Sequence, residues 1–162
     1  MPLLIQQNFD GSDFFNRSWA EFKVGFNDTS GNYWLGNDLL HSVTQDGHYA
    51  ALFVLRARAN AMIYTAEAGT FIVGDEESNY RLRVGHYSSA MWNVMTTHNG
   101  MMFSTYDRDN DNWPGNCAAE HGGGFWHNKC YQCGVNMAVD FIWNGLTPGP
   151  ELQSTRIWLA CR

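Results

Sequence analysis

Apolar and polar residues alternate with a period of two through much of the first hundred positions, and that pattern predicts strands. Leu3, Leu4 and Ile5 form a short apolar run that leads to a turn at Asp10 and Gly11. Tyr49, Ala51, Phe53 and Leu55 alternate against a second face and end at Arg56 and Arg58, as in a half-buried antiparallel strand. Met62 to Ala66 and Thr70 to Val73 read as its two partners. From Asn79 to Val84, Tyr80, Leu82 and Val84 share one face while Arg81 and Arg83 take the other. Those arginines read as an ordinary solvated face in preference to a binding patch. His98, Asn99 and Gly100 mark a turn, and Met101 to Tyr106 reads as one more strand.

Helical signals are short. Ser18 and Glu21 have the spacing of a capping box, and Gly25 ends the helix they open. Trp19, Phe22 and Phe26 fall at helical spacing, which predicts core packing rather than ligand stacking. Trp34 to His41 suggests a second short helix. Beyond Tyr106 regular periodicity stops. Long irregular stretches in a compact domain are usually functional, or held by cross-links and ions.

Composition narrows the class. At 162 residues the chain reads as one domain, and 15% aromatic with 16% charged residues suits a compact fold. A net charge of -6 with no basic stripe argues against a nucleic-acid groove. Sixteen glycines with few long periodic runs favour turns and short strands over a helical bundle. No apolar stretch approaches membrane-spanning length. Met1 to Ile5 is too short for a signal peptide and lacks a basic start and a cleavage site. Asn16-Arg-Ser and Asn27-Asp-Thr are acceptor sequons, which matter only in a chain that enters the secretory route. No acidic pair, Ser/His/Asp set or phosphate-cradling glycine loop stands in an enzyme-like context.

The candidate chemistry lies in Asp107 to Cys117. Asp107, Asp109 and Asp111 alternate, and ionised carboxylates at that density repel. A hard cation such as Ca2+ would relieve the conflict, and Pro114 with Gly115 gives a turn that folds carbonyls back toward one centre. The stretch is not an EF-hand, because Asn112 stands where the glycine is needed and Ala118 where the bidentate glutamate is needed. A solvated acidic turn is the competing reading. The four cysteines allow three pairings. Cys130 and Cys133, with Cys117, His121 and His127 nearby, also permit a zinc site or a redox pair, although the Cys-x-x-Cys spacing stands alone.

Phe103 to Asp111, Gly115 to Ala118 and Gly124 to Cys130 closely resemble the fibrinogen-related domain, the C-terminal globular module of fibrinogen chains, ficolins, tachylectins, angiopoietins and tenascins. The runs at Asn8 to Ser12, Trp19 to Phe26, Tyr33 to Asn37 and Asn79 to Leu82 resemble it in the same order. The resemblance covers residues 5 to about 145. It implies an α+β fold: a twisted, mainly antiparallel sheet with short helices over residues 1–98, then a loop-rich calcium and ligand subdomain over 99–162. It also implies a piece that lacks the family's N-terminal subdomain and its last strand, with residues 154–158 only starting the closing segment.

The resemblance assigns Ca2+ to the side chains of Asp109 and Asp111 and the carbonyls of Trp113 and Gly115, with Asp107 in support. It pairs Cys117 with Cys130, a short closure worth about 3 kcal/mol in the chain-entropy model. Cys133 and Cys161 lie off the family's positions, and an extra bridge between them would pin the C-terminal end. The pocket it implies lies beside the calcium loop. It uses the Lys129–Cys130 peptide, often cis in the family, with His121 and Tyr131. Those two residues exchange the places of the tyrosine and histidine of the common lectin pattern, and His121 reads equally as a contact or as a surface residue. Trp126 is expected to pack beneath the loop. The implied function is a secreted, Ca2+-dependent, non-enzymatic recognition module, a lectin for acetylated or other glycans in innate defence. The alternative is a protein-binding matrix or signalling module. Oligomers would form only through regions outside this sequence.

Overall fold

The computed structural model describes residues 1–88, 93–147 and 149–162. Its strands are β1 (Leu3–Asn8), β2 (Phe26–Asn27), β3 (Tyr33–Trp34), β4 (Tyr49–Ala57), β5 (Ile63–Val73), β6 (Leu82–Tyr87) and β7 (Leu152–Cys161). They form one seven-stranded sheet in the order β2-β3-β1-β7-β4-β5-β6, with antiparallel pairing throughout. The helices are α1 (Trp19–Val24), α2 (Asn37–Thr44), α3 (Asn93–Thr96) and α4 (Cys117–His121). The architecture is the α+β fold expected from the sequence.

Several boundaries differ from the expectation. The closing strand, expected to be lacking, is present as β7 and lies mid-sheet between β1 and β4. Its alternation of Leu152, Thr155, Ile157 and Leu159 buries one face against the core. The two short partners of β4 are a single strand, β5, which pairs with β4 as far as Ala68 and with β6 from Ala68 onward. Changing neighbours at Ala68 and Gly69 makes one strand look like two. The second helix starts three residues late, because Tyr33 and Trp34 pair with β1 and Gly36 turns the chain at φ 109°. Met101 to Tyr106 is no strand. Its backbone is met instead by single bridges from Ser104 to Phe125 and Thr105 to Arg108.

The capping box forms as the sequence predicts. Glu21 N donates to Ser18 Oγ at 3.2 Å, and Ser18 N donates to Glu21 Oε2 at 2.9 Å. The cap fixes α1 so that Trp19 and Phe22 point into the core. Phe22 packs against Phe103 at 5.0 Å and Trp34 at 5.4 Å between ring centroids. Trp126 lies in the same cluster, edge-on to Phe103 at 5.2 Å, and is 1% exposed. It therefore belongs to the core beneath the loop. Each such pair adds about 0.5–1.5 kcal/mol beyond area burial.

A buried polar network fastens the irregular segment to the sheet. Gln6 Nε2 donates to Val135 O at 3.1 Å, Asn136 Oδ1 at 3.1 Å and Thr155 Oγ1 at 2.9 Å. Asn8 Nδ2 donates to Val135 O at 3.0 Å, and Asn136 Nδ2 to Gly124 O at 3.0 Å. Strands β1 and β7 thus hold residues 124–136 from below, and that segment carries the candidate site. Gly123 and Gly124 permit the approach: a Cβ would lie 2.1 Å from Asn136 O at the first and 2.5 Å from the Phe22 ring at the second.

Candidate ligand cleft and calcium loop

The acidic loop is built by its own side chains. Asp107 Oδ1 accepts from Trp19 N at 2.9 Å and from Thr105 Oγ1 at 2.7 Å, so it serves the first turn of α1. Its Oδ1 is thus engaged away from Asp109 and Asp111. Asn110 anchors the loop by donating from its backbone to Ser104 Oγ and from its side chain to Phe103 O, each at 2.9 Å. Asp111 accepts from Trp113 N at 2.8 Å and Cys117 N at 2.9 Å, and Asp109 Oδ1 accepts from Asp111 N at 3.2 Å. Burial pushes the Asp111 carboxyl above its usual range. The amides of Cys117 and Trp113 pull it back, and neighbouring Asp109 pushes it up again.

These residues fit a divalent ion. The carboxyls of Asp109 and Asp111 are neighbours, burial first and Asp109 second disfavour the charge on Asp111, and a cation would favour both charges. Among the described residues no group of three or more His, Cys, Asp or Glu converges. A shell here would therefore draw on carbonyls such as those of Trp113 and Gly115, and on water.

Asn112 couples this loop to the next segment, through its amide to Asn128 O and its side chain to Asn128 Oδ1, each at 3.0 Å. Cys117 and Cys130 are bridged, with Cα atoms 5.5 Å apart, and the Lys129–Cys130 peptide is cis. The expected bridge between Cys133 and Cys161 does not form. Cys133 is fully buried, Cys161 is exposed at the end of β7, and both are free thiols. The zinc and redox readings also fail on Cys117 and Cys130, because disulfide sulfurs are not thiolates. His127, the other member of that set, is buried. Burial lowers its pKa to about 3, and its ring Nε2 lies 2.9 Å from Gly123 O.

His121, Lys129, Cys130 and Tyr131 line one cleft of ≈ 340 Å³, together with Trp113, Glu120, Asp140 and Ile142. Helix α4 presents Glu120 and His121. Asn116 caps it by accepting from Ala119 N at 3.0 Å, and Gly122 ends it at φ 74°. The exchanged pair touches: His121 and Tyr131 rings meet edge-on at 5.0 Å, with Nδ1 3.1 Å from the phenolic oxygen. Sequence reasoning missed Glu120, Asp140 and Ile142, and named Trp113 only for its carbonyl. Asp140 sits at φ 59°, in a segment without periodicity that no spacing rule singles out. Glu120 adjoins His121 in sequence and was the one discoverable signal.

A family description, fibrinogen beta and gamma chains, C-terminal globular domain, matches residues 2–147. The chain belongs to the fibrinogen C-terminal domain family. It is 39% identical over 147 residues to fibrinogen-like protein 1 of Bos taurus, covering 82% of this chain and 47% of that protein. It is thus similar to a part, under half the length, of that curated relative. The fibrinogen-like globe domain of human ANGPTL2 superposes with a TM-score of 0.87 at 29% identity, over 99% of this chain and 80% of that one. Lamprey fibrin D-dimer, complexed with the peptide Gly-His-Arg-Pro-amide, superposes with a TM-score of 0.79 at 27% identity, over 96% and 60%. Domains of the family are binding modules rather than enzymes. Among the described residues no helix is long and apolar enough to cross a membrane.

Proposed function

We propose that this domain is a secreted recognition module whose cleft takes a cationic group of a protein or peptide ligand, with Ca2+ stiffening the adjoining loop. The observation that carries the reading is the pair of carboxylates on the cleft, Glu120 and Asp140, with Asp140 held by the Tyr131 hydroxyl at 3.0 Å. A carboxylate pinned beside aromatic rings suits an ammonium or guanidinium partner. The peptide named with lamprey fibrin carries both an amine and an arginine, which supports the same class of ligand here. The disulfide suits an oxidising compartment, and fibrinogen and fibrinogen-like protein 1 are secreted.

A lectin for acetylated glycans is the second reading, favoured by the Trp113 side chain, 46% exposed on the cleft. Calorimetry with Gly-His-Arg-Pro-amide, its N-acetylated form and N-acetylglucosamine, each with and without Ca2+, separates the two. Binding of the free-amine peptide that weakens on acetylation and on chelation supports the first. Retention of the sugar with no response to either peptide overturns it in favour of the lectin.

A further inference from the structure

We propose a second binding site on the outward face of the sheet, an oxyanion subsite built from Arg56 of β4 and Arg156 of β7 that takes the sulfate group of a sulfated glycan. The two strands pair with Val54 opposite Arg156 and Arg56 opposite Ser154. The arginines are therefore diagonal neighbours, about 7–8 Å apart at the backbone. Alternation puts both on the face away from Phe53 and Leu55, which are fully buried. Between them is a cleft of ≈ 220 Å³ to which Ser154 and Gln153 add a hydroxyl and an amide, and no carboxylate lines it. It shares no residue with the ligand cleft.

Two like charges side by side are unfavourable unless an anion joins them. Among the described residues neither arginine has a carboxylate within salt-bridge distance. Glu67, an acid on this face, pairs with Leu52, four residues along β4 from Arg56. Both guanidiniums are oriented in advance. Arg156 donates from Nε to Gln7 Oε1 and stacks over Phe9 at 5.4 Å, and Arg56 donates to Ala61 O at 3.3 Å. Each bond uses one of five N–H donors, so most of each fork is left for a ligand. A tetrahedral oxyanion meets such forks bidentately, which an amide or a neutral hydroxyl cannot match. With the chain at -6, a long polyanion is repelled outside this spot, so one sulfated sugar unit is the ligand that fits.

The test is an NMR titration of the arginine Nε signals with inorganic sulfate, a defined sulfated disaccharide, its desulfated form and a phosphoserine peptide. Saturable shifts at Arg56 and Arg156 with sulfate and the sulfated disaccharide, and none with the desulfated form, are expected. Arg156→Ala should weaken binding roughly tenfold, as for one charge-assisted fork lost. Arg156→Lys should restore only part, while Arg81→Ala leaves it unchanged. Absence of saturation, equal loss in Arg81→Ala, or a preference for the phosphoserine peptide overturns the proposal.

Discussion

The Tyr131 hydroxyl donates to Asp140 Oδ2 at 3.0 Å, and the phenolic oxygen of Tyr131 lies 3.1 Å from His121 Nδ1. A phenol has one hydrogen, so with that hydrogen on Asp140 the histidine donates from Nδ1. Burial and the Asp140 carboxylate both push the Tyr131 hydroxyl up, so it stays protonated in the physiological range. The residues exchanged relative to the common lectin pattern thus form a chain of bonds ending on a carboxylate.

Asp140→Asn keeps an acceptor for that hydroxyl and removes the charge. Affinity for a cationic peptide should fall roughly threefold to tenfold while the melting temperature barely changes. Tyr131→Phe frees the carboxylate instead, and should cost about 1 kcal/mol of stability. Calorimetry paired with thermal melts separates the two effects. Unchanged affinity in both variants would mean the ligand sits elsewhere.

Calcium should stabilise the domain by linkage. At free Ca2+ ten times its Kd, the gain is about 1.4 kcal/mol. Hydrogen exchange should slow at residues 107–117 and also at 128–131, because Asn112 bonds both backbone and side chain of Asn128. Asp109→Asn with Asp111→Asn should abolish both the shift in melting temperature and the slowing. Protection restricted to other segments would place the ion outside this loop.

The free thiols should react unequally. Cys161 is exposed, whereas Cys133 is fully buried and burial pushes its thiol up, leaving no thiolate at neutral pH. A maleimide added to the native protein without reductant should label Cys161 alone, and denaturant should expose Cys133 as well. Peptide mapping reads the result directly. A native Cys133 adduct would contradict the packing.

Stability should fall as pH drops below neutrality. Burial lowers His98 to about 4 and His127 to about 3, from an ordinary value of 6.5. The unfolded chain then binds protons that the folded one refuses. The stability these groups confer is full above 6.5 and is lost as pH falls toward their folded values. Glu21, Asp38 and Glu76 are lowered too, chiefly by backbone and side-chain hydrogen bonds, so their losses begin as pH enters the ordinary carboxylate range and continue below it. Urea midpoints between pH 7.5 and 5 should therefore decline through the histidines, by up to about 1.4 kcal/mol per pH unit for each. His98→Gln should remove one share of that slope.

What the sequence reveals depends on how local the cause is. The Ser18–Glu21 capping box and the β4 alternation are encoded within a few residues, and each is read correctly from them. Motif order identifies the family and places His121, Lys129, Cys130 and Tyr131 near one another. Neither period nor motif reaches Asp140, which enters the cleft because Gly134 tolerates its carbonyl 2.2 Å from where a Cβ would be. The central place of β7 is hidden for a similar reason. Its pairing with β1 and β4 is set between residues that lie far apart in sequence, such as Leu3 with Leu159 and Ala57 with Leu152, and short patterns carry no trace of it.

Gln6 shows how that long-range pairing reaches the cleft. Its amide serves Val135, Asn136 and Thr155, and its own Oε1 accepts from Thr155 Oγ1 at 3.1 Å. Gln6→Leu keeps the volume but takes the Gln6 donor from buried Asn136 Oδ1 and Thr155 Oγ1, at about 1–3 kcal/mol each, while Val135 O keeps its bond from Asn8. The variant should lose roughly 3 kcal/mol or more in urea unfolding. It should also bind ligand more weakly, because residues 124–136 keep only the Asn8 bond of their side-chain attachment to β1 and Tyr131 lies within that span. Thr155→Val removes one partner and should cost less. If Gln6→Leu lowered stability with ligand affinity intact, the cleft would be held by the Cys117–Cys130 bridge and the acidic loop alone.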